Sequence, residues 1–138
     1  MDQSQSGPSR STVVLVVEDN HLILMSALDL VATAGYEGVG AESADEAIAI
    51  LEARSDVKLV FTDIEMPGTI DGAKLAHYIR NRWPPIHLIV ASGKEIKDES
   101  RLPTGSTFFA KPYDNDTIVA EMARMLRAID AGKLEMKV

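Results

Sequence analysis

Five short runs of strand-forming residues recur along this chain, each followed by a longer stretch with apolar residues at helical spacing. That alternation restricts the fold more than any single motif. The runs are VVLVV at 13–17, a weaker YEGVGA at 36–41, KLVFT at 58–62, HLIVA at 87–91 and TFFA at 107–110. Between them, Ala44, Ala47, Ile48 and Leu51 fall at i, i+3, i+4 and i+7, and Ser43 with Glu46 forms a capping box at the start of that helix. Residues 21–34 are apolar over a wide face and end at Gly35, a suitable residue just past a helix. Leu75, Ala76 and Ile79 repeat the pattern after Asp71, and Trp83-Pro84-Pro85 closes that helix. Ile118, Met122, Met125 and Ile129 form the stripe of a last helix, predicted to stop near Gly132. These Met and Leu stripes read as core. Wholly apolar strands alternating with amphipathic helices imply an α/β fold with a mostly parallel sheet covered on both faces.

Composition sets the surroundings. The chain has 138 residues, 46% of them hydrophobic and 25% charged, which suits one globular domain with a substantial core. There is no cysteine, so disulfides and thiolate metal sites are excluded, in agreement with a cytoplasmic location. The opening MDQSQSGPSRST is polar, and no apolar run approaches the roughly 18 residues that span a bilayer. No membrane partner is expected. A net charge of −7 repels polyphosphate, so direct nucleic-acid binding is not expected either. Residues 1–11 and 132–138 read as tails around a domain at 12–131.

The informative residues are the polar ones that interrupt the strands. Glu18 and Asp19 end the first, Asp63 the third in LVFTDIEMPG, Ser92 the fourth in LIVASG and Lys111 the fifth in TFFAKPY. In an open parallel sheet the carboxyl ends of the strands share one edge, so these residues converge on one crevice. Three carboxylates a few ångströms apart repel by several kcal/mol unless they hold protons or share a cation. An all-oxygen site of this kind suits Mg²⁺, which habitually bridges protein carboxylates to phosphate. Lys111 and Ser92 add an ammonium and a hydroxyl, the partners that phosphoryl oxygens need, and a central Asp could act as nucleophile to form an acyl phosphate.

Taken together, VVEDN, FTDIEMPGTIDG, VASG and FFAKP stand in an order and spacing that resemble the response-regulator receiver domain of two-component signalling, over about residues 12–131. The resemblance implies a flavodoxin-like, doubly wound sheet of strand order 2-1-3-4-5 with helices on both faces. It implies Asp63 as phosphoacceptor and Mg²⁺ held by Glu18, Asp19, Asp63 and the Glu65 backbone carbonyl. It further implies Ser92 as the hydroxyl that follows the phosphoryl group, Lys111 as its ion-pair partner, Phe108 as a switch aromatic and a cis Lys111-Pro112 bond. The implied partner is a histidine kinase or histidine phosphotransfer protein. With only six residues after Gly132, the expected output is protein contact or phosphorelay without a DNA-binding module. From their positions, Glu65 and Lys94 could pair across the phosphoryl group and prolong its life.

Each residue also has a plainer reading. A Glu-Asp pair at a strand end commonly caps a helix, Asp63 could begin a turn, Ser92 could be a turn hydroxyl, Lys111 a snorkelling cation and Phe108 simply core. His21, His77 and His87 lack metal-ligand spacing. Asp63-Ile64-Glu65 also superficially resembles the Asp-x-Asp of haloacid-dehalogenase phosphohydrolases, but an acid/base Asp is missing and the loops are too short for a cap. A nucleotide- or flavin-binding module would need a first loop rich in backbone donors, which Glu18-Asp19 would oppose. Two features depart from the commonest receiver pattern: MPGTIDG is one residue longer, and GKEIKDESRLPTG at 93–105 predicts a short or irregular fourth helix.

Overall fold

The computed structural model describes residues 12–65, 72–93 and 102–137, with side chains described up to Arg127. Its elements are β1 (Val13–Val17), α1 (His21–Thr33), β2 (Glu37–Ala41), α2 (Ala44–Ala53), β3 (Val57–Asp63), α3 (Gly72–Arg82), β4 (His87–Ser92), β5 (Thr107–Ala110) and α4 (Asn115–Lys137). The five strands form one parallel sheet in the order β2-β1-β3-β4-β5. All five strands thus lie where the apolar runs place them, within a residue or so at each end.

The sheet is buried on both faces because side chains alternate across it. Val13, Leu15 and Val17 of β1 join Ala47, Leu51, Leu75, Ala76 and Ile79 of α2 and α3 on one face. Val14 and Val16 join Leu24, Ala27, Val31, Ile118, Met122 and Met125 of α1 and α4 on the other. One irregularity adjusts this alternation. Val13 pairs with Val57 but Val14 with Leu59, so β3 carries an extra residue, Lys58, which is exposed. Val57 therefore packs toward α2 and α3, while Leu59 turns to α1 and α4.

Helix ends follow local chemistry. The Asn20 side chain accepts from the Ile23 amide at 3.1 Å, and Gly35 takes φ +100° behind α1, the left-handed conformation in which glycine costs least. The Ser43 hydroxyl accepts from the Glu46 amide at 3.1 Å, while Glu46 reaches back to the Glu42 amide at 2.7 Å, one residue earlier than the usual box. The expected stop of the last helix near Gly132 is not found: α4 runs on to Lys137. A helical glycine costs only about 1 kcal/mol relative to alanine, and no proline follows to end the helix. No helix among the described residues is long and apolar enough to cross a membrane. The loop expected to be longer after Pro67 and the fourth helix expected to be short or irregular at 93–105 fall largely outside the described residues.

Candidate functional site

The parallel sheet brings its carboxyl edge together as expected, and backbone bonds extend the ladders past the strands. The Glu18 amide donates to Ala41 O at 3.0 Å, the Ile64 amide to Ala91 O at 2.9 Å and the Lys111 amide to Ser92 O at 2.8 Å. Each residue carrying chemistry is thus fixed through the main chain at or beside its own position. Glu18, Asp63 and Ser92 are buried, Lys111 is partly buried, and Asp19 is exposed at the mouth.

Asp63 is engaged on both oxygens. Oδ2 accepts from Lys111 Nζ at 2.8 Å and Oδ1 from the Glu65 amide at 3.1 Å. Lys111 Nζ also lies 3.7 Å from Glu18 Oε1. Burial works against the Lys111 charge, yet the hydrogen bond to Asp63 and the charges of Asp63 and Glu18 outweigh it and raise the ammonium's pKa. Glu18 is shifted furthest. Burial, opposed by the Asn20 amide and reinforced by Asp63, raises its pKa from 4.5 to about 7. The Asn20 amide donates to Glu18 Oε2 at 3.0 Å.

Glu18, Asp19 and Asp63 each present a carboxylate oxygen within 4.8 Å of the others. Among the described residues Lys111 meets Asp63 and Glu18 of this three-carboxylate set, both of them buried, and burial holds Glu18 back from ionising near neutral pH. A hard divalent cation fits that all-oxygen, negatively charged set.

The Glu18 shift has a checkable sign. A carboxyl group whose folded pKa is raised favours folding when protonated, so its stabilisation is complete below pH 4.5 and is lost as pH rises through about 7. In chelator, urea unfolding should show this group's contribution falling by on the order of 2 kcal/mol between pH 5 and pH 8. Glu18→Gln should flatten that slope, raise metal-free stability at pH 8 and weaken Mg²⁺ binding. Asp19→Asn should also weaken Mg²⁺ binding without lowering metal-free stability. An unchanged slope in Glu18→Gln, or unchanged Mg²⁺ affinity in both variants, would contradict this account.

Ser92, at the end of β4, donates its hydroxyl to Glu65 Oε2, and the Gly93 amide donates to Glu65 Oε1 at 2.9 Å. The sequence pairs the Glu65 side chain with Lys94, which lies outside the described residues. Glu65 stands where a phosphohydrolase of the haloacid-dehalogenase type would carry its acid/base Asp, but its carboxylate is turned to the end of β4. Phe108 sits half-buried on β5 against the α2 and α3 side of the core. The Tyr113 ring packs on Phe61 at 5.7 Å and helps line the small cavity that Glu18, Asp63 and Lys111 share. Lys111-Pro112 is cis. His21 is exposed and 3.2 Å from Glu42, His77 is exposed, and His87 is half-buried at the foot of β4.

Two features went unread in the sequence. Leu22, Ile23 and Met25 leave apolar side chains exposed beside the crevice, although the 21–34 stretch reads simply as a core-facing helix. Gly72 packs so closely on β3 that a Cβ there would stand 2.0 Å from Asp63 O. Asp71-Gly72 signals a helix start, but nothing local signals that approach.

Comparison with known proteins agrees with this geometry. FleR, a response regulator protein of Pseudomonas aeruginosa, is 32% identical over 114 residues, which are 80% of this chain but 24% of FleR, so the chain spans about a quarter of that relative. A CheY-like receiver domain from Methanospirillum hungatei superposes with a TM-score of 0.80 at 23% identity, covering 88% of this chain and 98% of that one. TrrA of Thermotoga maritima, a response regulator solved in complex with Mg(2+)-BeF, superposes with a TM-score of 0.72 at 24% identity, covering 83% and 98%. Residues 14–123 match the family model of the response regulator receiver domain. With the strand order, the carboxyl-edge crevice and its acids all in agreement, the chain belongs to the response regulator receiver domain family.

Proposed function

We propose that this receiver domain is a phosphoacceptor whose nucleophile is Asp63 and whose donor is a histidine kinase or histidine phosphotransfer protein. The observation that carries the reading is the Lys111–Asp63 contact of 2.8 Å inside the crevice that Glu18 and Asp19 flank. In the forward step an Asp63 carboxylate oxygen attacks phosphorus, an acyl phosphate bond forms, the bond from phosphorus to the donor imidazole breaks, and that nitrogen leaves as imidazole. Lys111 loses one carboxylate oxygen as partner and gains a phosphoryl oxygen. Ser92 and Gly93 supply a hydroxyl and an amide to further oxygens. Glu18, Asp19, Asp63 and the Glu65 carbonyl would hold Mg²⁺, which when bound neutralises charge developing on the transferring group. Phe108, on the strand that leads into Lys111, would respond to the rearrangement and pass it to the surface.

The exposed Leu22, Ile23 and Met25 begin four residues beyond Glu18 and offer the donor protein an apolar contact at the rim of the crevice. The loaded domain then acts through protein contact or passes the group on. The domain assists only its own loading and hydrolysis.

Incubation with Mg²⁺ and a small acyl phosphate donor, followed by intact-mass spectrometry, should show a single alkali-labile phosphoryl group. Omission of Mg²⁺ should suppress it. Catalytic turnover of a free phosphomonoester with no stoichiometric label would replace this reading with a hydrolase.

A further inference from the structure

Resting on that phosphoacceptor reading, we infer that the Glu65 carboxylate is an internal competitor for the phosphoryl group, holding the two donors at the end of β4 until Asp63 is loaded. The Ser92 hydroxyl and the Gly93 amide each have one proton to give, and both protons are directed to Glu65. A phosphoryl group on Asp63 needs donors for its oxygens. Lys111 and the Glu65 amide already face Asp63, so among the described residues the donors at the end of β4 are the additional ones on the same edge of the sheet.

Glu65 therefore bridges the crevice. Its main chain is bonded to the nucleophile and its side chain to the neighbouring strand. Ser92 is 1% exposed, so water is a poor substitute for Glu65 as acceptor, and a phosphoryl oxygen on Asp63 would take the bond that Glu65 gives up. The two acceptors are alike in kind: a carboxylate and a phosphoryl group are both anionic and both carry more than one oxygen. They are also mutually repulsive, so a loaded Asp63 and a seated Glu65 carboxylate oppose each other at short range. Loading thus requires Glu65 to leave, and Glu65 sets how readily the domain accepts a phosphoryl group.

Beryllofluoride with Mg²⁺, a non-covalent stand-in for the phosphoryl group, tests this without turnover. Glu65→Ala should half-saturate at about 3- to 10-fold lower beryllofluoride than the parent, the factor carried by hydrogen bonds no longer contested. Glu65→Gln, which keeps the shape and one acceptor oxygen, should fall between. In ligand-free protein the Gly93 amide should exchange faster with solvent in Glu65→Ala. The gain should shrink at least about twofold in a Ser92→Ala background, because the contested hydroxyl is gone. An equal gain with and without Ser92 would assign the effect to charge alone and overturn the competitor. So would a Glu65→Ala variant that binds no more tightly in a background where the parent binds normally. Failure of the parent itself to bind beryllofluoride, or equal binding by Asp63→Asn, would instead overturn the phosphoacceptor reading.

Discussion

Asp63→Asn should lose all phosphoryl label from a small acyl phosphate donor while keeping the fold. Asparagine preserves the shape of the side chain, and its carbonyl oxygen can still accept from Lys111 Nζ, now at 2.8 Å in the parent. What it lacks is the anionic oxygen that the proposed attack on phosphorus requires. The effects on stability oppose one another. The variant weakens a charge-assisted hydrogen bond to a partly buried ammonium, and it removes the repulsion between Asp63 and the buried Glu18. The unfolding free energy in chelator should therefore change by no more than about 2 kcal/mol. Intact-mass spectrometry and urea unfolding on the same preparation check both halves. Undiminished labelling would place the nucleophile elsewhere, and an unfolded variant would mean that the charge on Asp63 is needed for the fold itself.

Gly72→Ala should be the most damaging single-methyl change near the site. An added Cβ would lie 2.0 Å from Asp63 O and 2.5 Å from Ile64 Cα. Both are main-chain atoms that no rotamer change can move. Relief requires α3 to back away from β3, which pulls Leu75, Ala76 and Ile79 out of a core where they are fully buried. The Gly72 amide would also leave Ile64 O, its acceptor at 3.0 Å. We expect a loss of about 3 kcal/mol or more in urea unfolding, at the upper end of overpacking costs. Gly38→Ala is the comparison. There a Cβ would meet Leu28 Cδ2 at 2.9 Å, the end of a side chain that can turn, and the loss should be smaller. A Gly72→Ala protein with the parent's midpoint would show that the helix start can shift at little cost.

The contrast between these two glycines shows what was legible beforehand. Strand positions, both helical faces and the convergence of Glu18, Asp19, Asp63, Ser92 and Lys111 follow from period and strand-end chemistry, because in a parallel sheet a local pattern determines which edge a residue reaches. The close approach of Gly72 to Asp63 O joins residues nine positions apart through tertiary packing, and no local pattern encodes it. The Glu65 carboxylate escaped for a related reason. Opposite charge matches it with Lys94, which lies outside the described residues, and nothing local signals that the Ser92 hydroxyl and the Gly93 amide reach it from the neighbouring strand. The run of α4 past Gly132 escaped because glycine discourages a helix without forbidding it.

The main-chain bonds at Glu18, Ile64 and Lys111 continue the sheet ladders one step into the loops. The crevice is therefore a socket with a fixed frame. Its contact points are spaced by main-chain bonds between neighbouring strands, so changes to the side chains that line it can alter the chemistry of the crevice without re-registering the sheet. Chemical identity and architectural identity are separable in this domain, and its signalling properties can diverge from a relative's while the scaffold stays the same.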